Sequence, residues 1–454
     1  MEPITLTALI LFAVTYILML SFQKLRPYIA VTSAVVFVIM GALAAFKPDL
    51  FGAGFFGDFH YSFGEALREI DWNVVMMIAG TMGTVYLFIE SKMPQLMSDV
   101  LISRMPNVKW AVVALSLFAG IISAFVDNVA TVLMIAPVAL AFCKKINISP
   151  VPSIICIAVS SNLQGAATLV GDTTSILLAK AANLDFSDFF VDDGKAGMFW
   201  VVEAGALVSA LIILIMFRKE KSAVDISDRT KVEDKFPTVL LVGTVVSLIA
   251  VSFIPYKSNA NGGFYKPDIT NGLLCMLFFI IGLVREIVKT KKTKIIKDCI
   301  KEIDFYTIVL LTGLFVVIGG IKNAGVIDLI GGFIAKVGGA NGSAFLVYSI
   351  IVWASVLLSA FIDNIPYTAT MLPVVAVIAT ELGVEPKLLY YGLLCGATLG
   401  GNLTPIGASA NIAGIGILRK EGYEVKSGTF MKFGVPFTLA AVLTGYLMIW
   451  FIWN

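Results

Sequence analysis

Ser123-Ala124-Phe125-Val126-Asp127-Asn128 recurs 236 positions later as Ser359-Ala360-Phe361-Ile362-Asp363-Asn364. Pro137 and Pro373 share that spacing, and so do Thr168-Leu169-Val170-Gly171 and Thr404-Pro405-Ile406-Gly407. One short motif recurs by chance; several at a single offset mark an internal duplication. A looser match lies upstream, where Asp71-Trp72 running to Gly80 parallels Asp304-Phe305 running to Gly313 at 233 positions.

Outward from these motifs the chain is apolar. Its 454 residues are 58% hydrophobic and 14% charged, against about 25% charged in an average soluble domain. The uncharged runs 4–22, 28–46, 237–255 and 430–452 each suit the ~20 residues that cross a bilayer core. An all-α polytopic membrane protein is expected. A net charge of +2 gives no footing for nucleic acid. The five cysteines are scattered without CxxC, and the single histidine, His60, cannot build a histidine metal cluster. No Walker A or GxSxG pattern occurs, which argues against an ATP-driven pump and a serine hydrolase. No cofactor is expected beyond a coupling ion, Na+ or H+. Met1-Glu2-Pro3 carries no basic stretch, so 4–22 is expected as a retained helix and not a cleaved signal.

Each half divides into six elements. The first has helices near 4–22, 28–46 and 73–90, a helix pair near 109–126 and 129–144 interrupted at Asp127-Asn128, a glycine-interrupted helix near 153–180, and a closing helix near 197–217. The second has 237–255, 269–288, 305–321, the pair 345–362 and 365–380, the interrupted helix 388–417, and 430–452. The expected division is a first repeat over 1–217, a cytoplasmic linker over 218–236 and a second repeat over 237–454. Amphipathic segments 93–104 and 324–337 precede the two helix pairs and are expected to lie along the membrane interface.

Loop charge gives a direction, because cytoplasmic loops are rich in Lys and Arg. Lys24 and Arg26, then Lys92, Arg104 and Lys109, then Lys144 and Lys145 make one basic set. It continues with Arg218-Lys219, with Lys289, Lys291, Lys292, Lys294 and Lys297, and with Arg419-Lys420. The segments 47–71 and 181–196 are acidic. All of this agrees if the N-terminus is outside and the 109–144 pair is re-entrant from the cytoplasm. Each half then crosses about five times, the halves are inverted, and the 345–380 pair enters from outside, a plan shared by many secondary transporters.

The tips carry the chemistry. Ionisable groups at membrane depth are costly and usually functional. Asp127, Asn128, Asp363 and Asn364 offer oxygens to sodium or a proton, and the N–H groups opening each second arm favour an anion. The alternative is that each Asp merely caps its helix. In the interrupted helices Thr168, Gly171, Asp172 and Thr173 have as their counterpart segment Asn402, Thr404, Gly407, Ser409 and Asn411 in the other half. Unwound carbonyls and hydroxyls there can hold a cation. Tight packing through small residues explains Gly165 and Gly171, but not Asp172, Asn402 and Asn411. Asp172 matches Ala408, so the site is chemically lopsided. No Lys or Arg stands near the motifs in sequence, which argues against a multivalent anion. Glu90 and Glu203 lie near helix ends and are expected to have no role.

The motifs resemble the ion transporter superfamily, in the branch of arsenite permeases, NhaD-type sodium/proton antiporters and the melanosomal P protein, with a citrate transporter-like domain. Residues 362–373 (Ile-Asp-Asn-Ile-Pro-Tyr-Thr-Ala-Thr-Met-Leu-Pro), with Leu399-Gly400-Gly401-Asn402 and Gly407-Ala408-Ser409-Ala410-Asn411, carry the resemblance best. Val126 through Thr131 and Gly171 through Thr174 add to it. It brings Thr131 and Thr368 into the candidate site and implies a homodimer whose scaffold domain carries a mobile, elevator-type transport domain. Divalent anion/sodium symporters are more distant. Their tips read Ser-Asn-Thr, where this chain has Asp127-Asn128-Val129 and Asp363-Asn364-Ile365.

Two classes of function follow as expectations. One is secondary active transport in the cell membrane driven by protons or sodium. Its substrate is a small ion or polar solute: sodium and protons alone, arsenite, or a dicarboxylate. The other is a passive channel, or the membrane subunit of a pump, although no pore-lining ring of charge is evident. An enzyme is not expected.

Overall fold

The structure, a computed structural model, describes residues 2–52, 54–220, 222, 230–232, 234–255, 265–291, 294–337 and 343–454. Residues 221, 223–229 and 233 of the expected linker and Lys292 lie outside the described residues.

The chain is nearly all helical. α1 (Pro3–Ser21) and α2 (Arg26–Phe46) each open with a proline in their first turn, where its missing N–H costs nothing. A short α3 (Phe63–Glu69) is opened by a capping box of Ser62 and Glu65. α4 (Trp72–Glu90) is followed by α5 (Met93–Ser103), then by the pair α6 (Val108–Ser123) and α7 (Asn128–Lys145). α8 (Val151–Gly165) and α9 (Thr173–Ala182) are the two parts of the interrupted helix, and α10 (Met198–Met216) closes the half. The second half runs α11 (Phe236–Ser252), α12 (Thr270–Thr290), α13 (Lys294–Glu302), α14 (Phe305–Asn323) and α15 (Val326–Val337). It continues with the pair α16 (Ala344–Ser359) and α17 (Asn364–Leu382), the interrupted α18 (Pro386–Gly400) and α19 (Ser409–Lys420), and α20 (Ser427–Trp453). Every expected helix is present within a few residues. The sequence reading missed α3, α13 and a two-residue β-hairpin pairing Val191–Asp192 with Lys195–Ala196. Among the described residues nine helices are long and apolar enough to cross a membrane. This is a multi-pass membrane protein.

The equivalences read from sequence return as equivalent contacts. Asp71 caps α4 by accepting the Val74 N–H at 3.0 Å, and Asp304 caps α14 by accepting that of Thr307 at 3.0 Å. The halves interlock: α4 packs on α12 and α14 packs on α2. Both crossings are close because glycine stands at the contact. A Cβ on Gly80 would collide with the backbone of Cys275, and one on Gly313 would lie 2.8 Å from the carbonyl carbon of Ala30. Replacing Gly80 or Gly313 with Leu is expected to lower the melting temperature in detergent, since overpacking a tight contact typically costs about 1–3 kcal/mol. Gly428→Leu, where an added Cβ meets nothing within 4 Å, is the control. Equal melting temperatures for all three variants would refute the close crossings.

With α1 and α11, these helices form one packed group. The second group gathers α6 to α10 and α16 to α20 around α8 and α18, which are buried on almost every face. Burial on nearly every side places these two helices, α8 with its polar Asn162 included, in the interior, and they bring the interrupted segments to the centre of their group. α5 lies against α6 and α7, and α15 against α17.

Candidate binding site

Both tips are built alike. The Asp127 carboxylate accepts the N–H groups of Val129 and Ala130 at 2.9 and 3.1 Å, and that of Asp363 accepts the Ile365 N–H at 3.1 Å. Each aspartate is therefore a helix cap. The caps also consume N–H groups that the sequence offers to an anion. Each tip is moored to its interrupted helix by one repeated bond, Thr168 hydroxyl to the Ala124 carbonyl and Thr404 hydroxyl to the Ala360 carbonyl. A Cβ on Gly171 would lie 2.5–2.8 Å from the carbonyl oxygens of Gly165, Ser123 and Ala124. One on Gly407 would lie 2.6–2.9 Å from those of Gly401, Ala360 and Ser359. These carbonyls crowd the segments 166–172 and 401–408, where the α-helix is interrupted and Gly401–Leu403 forms a 3-10 turn.

Asp172 behaves differently. It stands at the N-cap position of α9, yet its side chain makes no cap bond. Its buried carboxylate instead accepts the Thr174 hydroxyl at 2.9 Å and the Asn364 amide of the other half at 3.3 Å. From there a polar chain crosses between the halves. Thr174 meets the Thr398 hydroxyl at 3.1 Å. The Asn162 amide donates to the Thr398 carbonyl at 2.7 Å and to Asn402 Oδ1 at 3.1 Å. The Asn128 amide donates to Asn162 Oδ1 at 3.0 Å. Buried polar groups are retained where their partners are satisfied, but Asn411 Oδ1, Thr368 Oγ1 and both amide atoms of Gln164 at the end of α8 are buried without a partner among the described residues.

Charge at the tips is uneven. Asp363 pairs with Arg26 Nη1 at 3.1 Å. This corrects the expectation that no basic residue stands near the motifs: Arg26 is not an exposed loop charge but is buried at the start of α2. Asp127 instead borders a cavity of about 200 Å³ with Met82, Tyr86, Leu133 and Asp304. A second cavity, of about 550 Å³, lies between α4, α9 and α12, lined by Asn73, Lys180, Asp268 and Asn271 and reaching Leu169 in the first interrupted segment.

The family model described as "Citrate transporter" (CitMHS) matches residues 9–396. The chain belongs to the CitMHS family. Among its relatives, an uncharacterized transporter of Mycobacterium tuberculosis strain H37Rv is 28% identical, covering 98% of this chain and 98% of its own. The human P protein is 26% identical over 90% of this chain and 57% of its own. The YdaH transporter of Alcanivorax borkumensis, whose crystal structure is described as having an unusual topology, superposes with a TM-score of 0.60. It does so at 14% identity, over 93% of this chain and 97% of that one, and so shares the fold. The resemblance read from residues 362–373 agrees with this membership, and the protein is a transporter and not an enzyme.

Within this CitMHS protein, Asp127, Asn128, Thr168, Gly171, Asp172, Asp363, Asn364, Asn402, Thr404, Gly407 and Asn411 all lie at the tips and interrupted segments. Thr131 is buried one turn into α7, where its hydroxyl reaches the Val126 carbonyl at 3.5 Å. Thr173 is buried at the start of α9. Ser409 is exposed and takes no part in the network. Sequence reasoning missed Arg26, Asn162 and Thr398. Asn162 had a signal, an amide inside the run Ile157–Leu163, at the offset of 236 from Thr398. Glu90 lines a separate cavity with Lys289.

Proposed function

We propose that the chain is a secondary active transporter that moves a small ion or polar solute, coupled to protons or sodium. The observation carrying this reading is the Asp172 carboxylate, buried, not used as a cap, and joined to Asn364 of the opposite half. A buried carboxylate that serves no cap is expensive and suits reversible neutralisation by a proton or cation. The oxygens of Asn128, Asn364, Asp127 and Asp363 suit sodium, and the unpartnered Asn411 Oδ1 and Thr368 Oγ1 add acceptors. Three acids against one guanidinium favour a cation or neutral solute. An anion such as citrate or a dicarboxylate then needs protons or sodium bound first; sodium/proton exchange alone and arsenite transport need no such step.

In this reading the repeats 1–217 and 237–454 are inverted across the cell membrane, with the N-terminus outside and 218–236 cytoplasmic. The α6/α7 and α16/α17 pairs are re-entrant. The group holding α2, α4, α12 and α14 is a static scaffold, in a homodimer, and the other group moves. Cysteines at Lys24, Arg218 and Lys291 are expected to label from one face of intact cells and a cysteine at Asp188 from the other; labelling of positions 24 and 188 from the same face refutes this map.

Function is tested by uptake into sealed proteoliposomes under imposed proton or sodium gradients, offering citrate, a dicarboxylate, arsenite and sodium. Gradient-stimulated uptake of at least one is expected. Uptake of ions at a rate indifferent to the coupling gradient marks a channel.

A further inference from the structure

Arg26 links the two helix groups at one tip. Its position is dictated locally: Arg26 opens α2 with Pro27 behind it in the first turn, and the Arg26 Nε donates to the Met19 carbonyl at the end of α1 at 3.2 Å. Only 8% of its side chain is exposed. The guanidinium then reaches out of its own group to Asp363 Oδ2 at 3.1 Å. A second link crosses at the same place, where the Tyr16 hydroxyl of α1 donates to the Pro366 carbonyl at 2.8 Å and meets the Thr370 hydroxyl. Asp127, the counterpart of Asp363, makes only its cap bonds and no ion pair among the described residues. Among the described residues, Asp172, Asp304, Tyr306, Tyr16 and Tyr367 are further titratable groups around this tip. None of them supplies a positive charge.

We propose that Arg26 is a resident counter-ion for Asp363 in one position only of the second helix group. When that group moves, Arg26 stays with α1 and α2, and Asp363 takes a proton or a coupling cation instead. This rests on the reading of a mobile and a static group. A mostly buried carboxylate without a partner is strongly disfavoured, so Asp363 must be neutralised in both positions. Arg26 cannot follow it, because a hydrogen-bonded pair survives only within about 3 Å and the guanidinium is tied to Met19. Displacement of the group is thus favoured only when a cation replaces Arg26, which couples movement to binding.

The test is the accessibility of Leu133→Cys, which lines the cavity beside Asp127. The five native cysteines are all buried, so an impermeant maleimide applied from the side to which this cavity opens reports the present position. Arg26→Gln removes the favourable pair in this position alone, and labelling should fall ~10-fold or more, the minimum expected for breaking a mostly buried pair. Asp363→Asn should lower it similarly. The double variant should fall no further than either single one, as expected for two residues whose effect is their mutual contact. Arg26→Lys, which keeps the charge, should label close to the parent. Labelling of Arg26→Gln at the parental rate, or a double variant falling by the product of the single effects, overturns the proposal. Should Arg26→Gln not fold, comparison of Asp363→Asn with the double variant still decides, since the double variant must label no less than Asp363→Asn. If the wild type carries out no gradient-driven transport but the labelling pattern holds, the transporter reading fails and the counter-ion stands. If transport is observed and Arg26→Gln labels normally, only the counter-ion fails.

Discussion

Asp172→Asn is expected to abolish gradient-driven transport, by ~100-fold or more, equivalent to about 2.7 kcal/mol, while leaving the protein folded. Asn keeps an acceptor oxygen where Asp172 receives Thr174 at 2.9 Å and Asn364 at 3.3 Å, so the polar chain between the halves survives. It has no negative charge and takes up no proton at neutral pH. A structural role needs only the acceptor, whereas coupling needs the charge. Transport and melting temperature in detergent, measured on the same preparation, separate the two. Near wild-type transport with an unchanged melting temperature would remove Asp172 from the coupling machinery.

Asp127→Asn and Asp363→Asn are both expected to cripple coupled transport, but they should part company in stability. Asn retains the cap oxygen at either tip, and a cap is worth ~1 kcal/mol, so the caps do not distinguish them. Asp127 forms no ion pair among the described residues and borders a cavity; its replacement should leave the melting temperature close to wild type. Asp363→Asn strands Arg26, whose side chain is 8% exposed, and removing one partner of a buried pair costs about 3–5 kcal/mol. The remaining exposure of Asp363, 16%, puts the expectation at the lower end of that range. Adding Arg26→Gln to Asp363→Asn should restore the melting temperature without restoring transport. Equal stability of the two single variants would show that the Arg26 pair contributes nothing.

Much of this was legible because it is written locally. Asp127-Asn128 and Asp363-Asn364 interrupt apolar runs, and the end of one helix arm and the start of the next follow from that break. Gly171 and Gly407 stand at one offset, and each meets three carbonyls in three dimensions. Thr168 and Thr404 repeat one hydrogen bond for the same reason. What escaped is tertiary. Arg26 reads as a basic turn, since nothing within α1 or α2 announces that residue 363 lies 337 positions away in the chain and 3.1 Å away in space. Asp185 and Asp192 read as an acidic loop, yet both are buried, paired with Lys266 at 2.5 Å and Lys387 at 2.6 Å. Ser409 reads as a site hydroxyl from its motif, but it opens α19 on the exposed side. At Asp363 a cap bond and an ion pair coexist, and Asp172 alone of the three aspartates makes no cap bond; a residue at a cap position that declines to cap cannot be recognised before the side chain is placed.

The central claim is coupling through these buried carboxylates, and accumulation against a gradient tests it most directly. Proteoliposomes holding wild-type protein, with the transported solute equal inside and out, receive a proton or sodium gradient. The account predicts that the internal solute departs from the external concentration, returns to it when an ionophore collapses the gradient, and does neither with Asp172→Asn. A solute that stays equal on both sides throughout, while the protein still equilibrates an imposed solute difference, would contradict the account and mark a passive pathway.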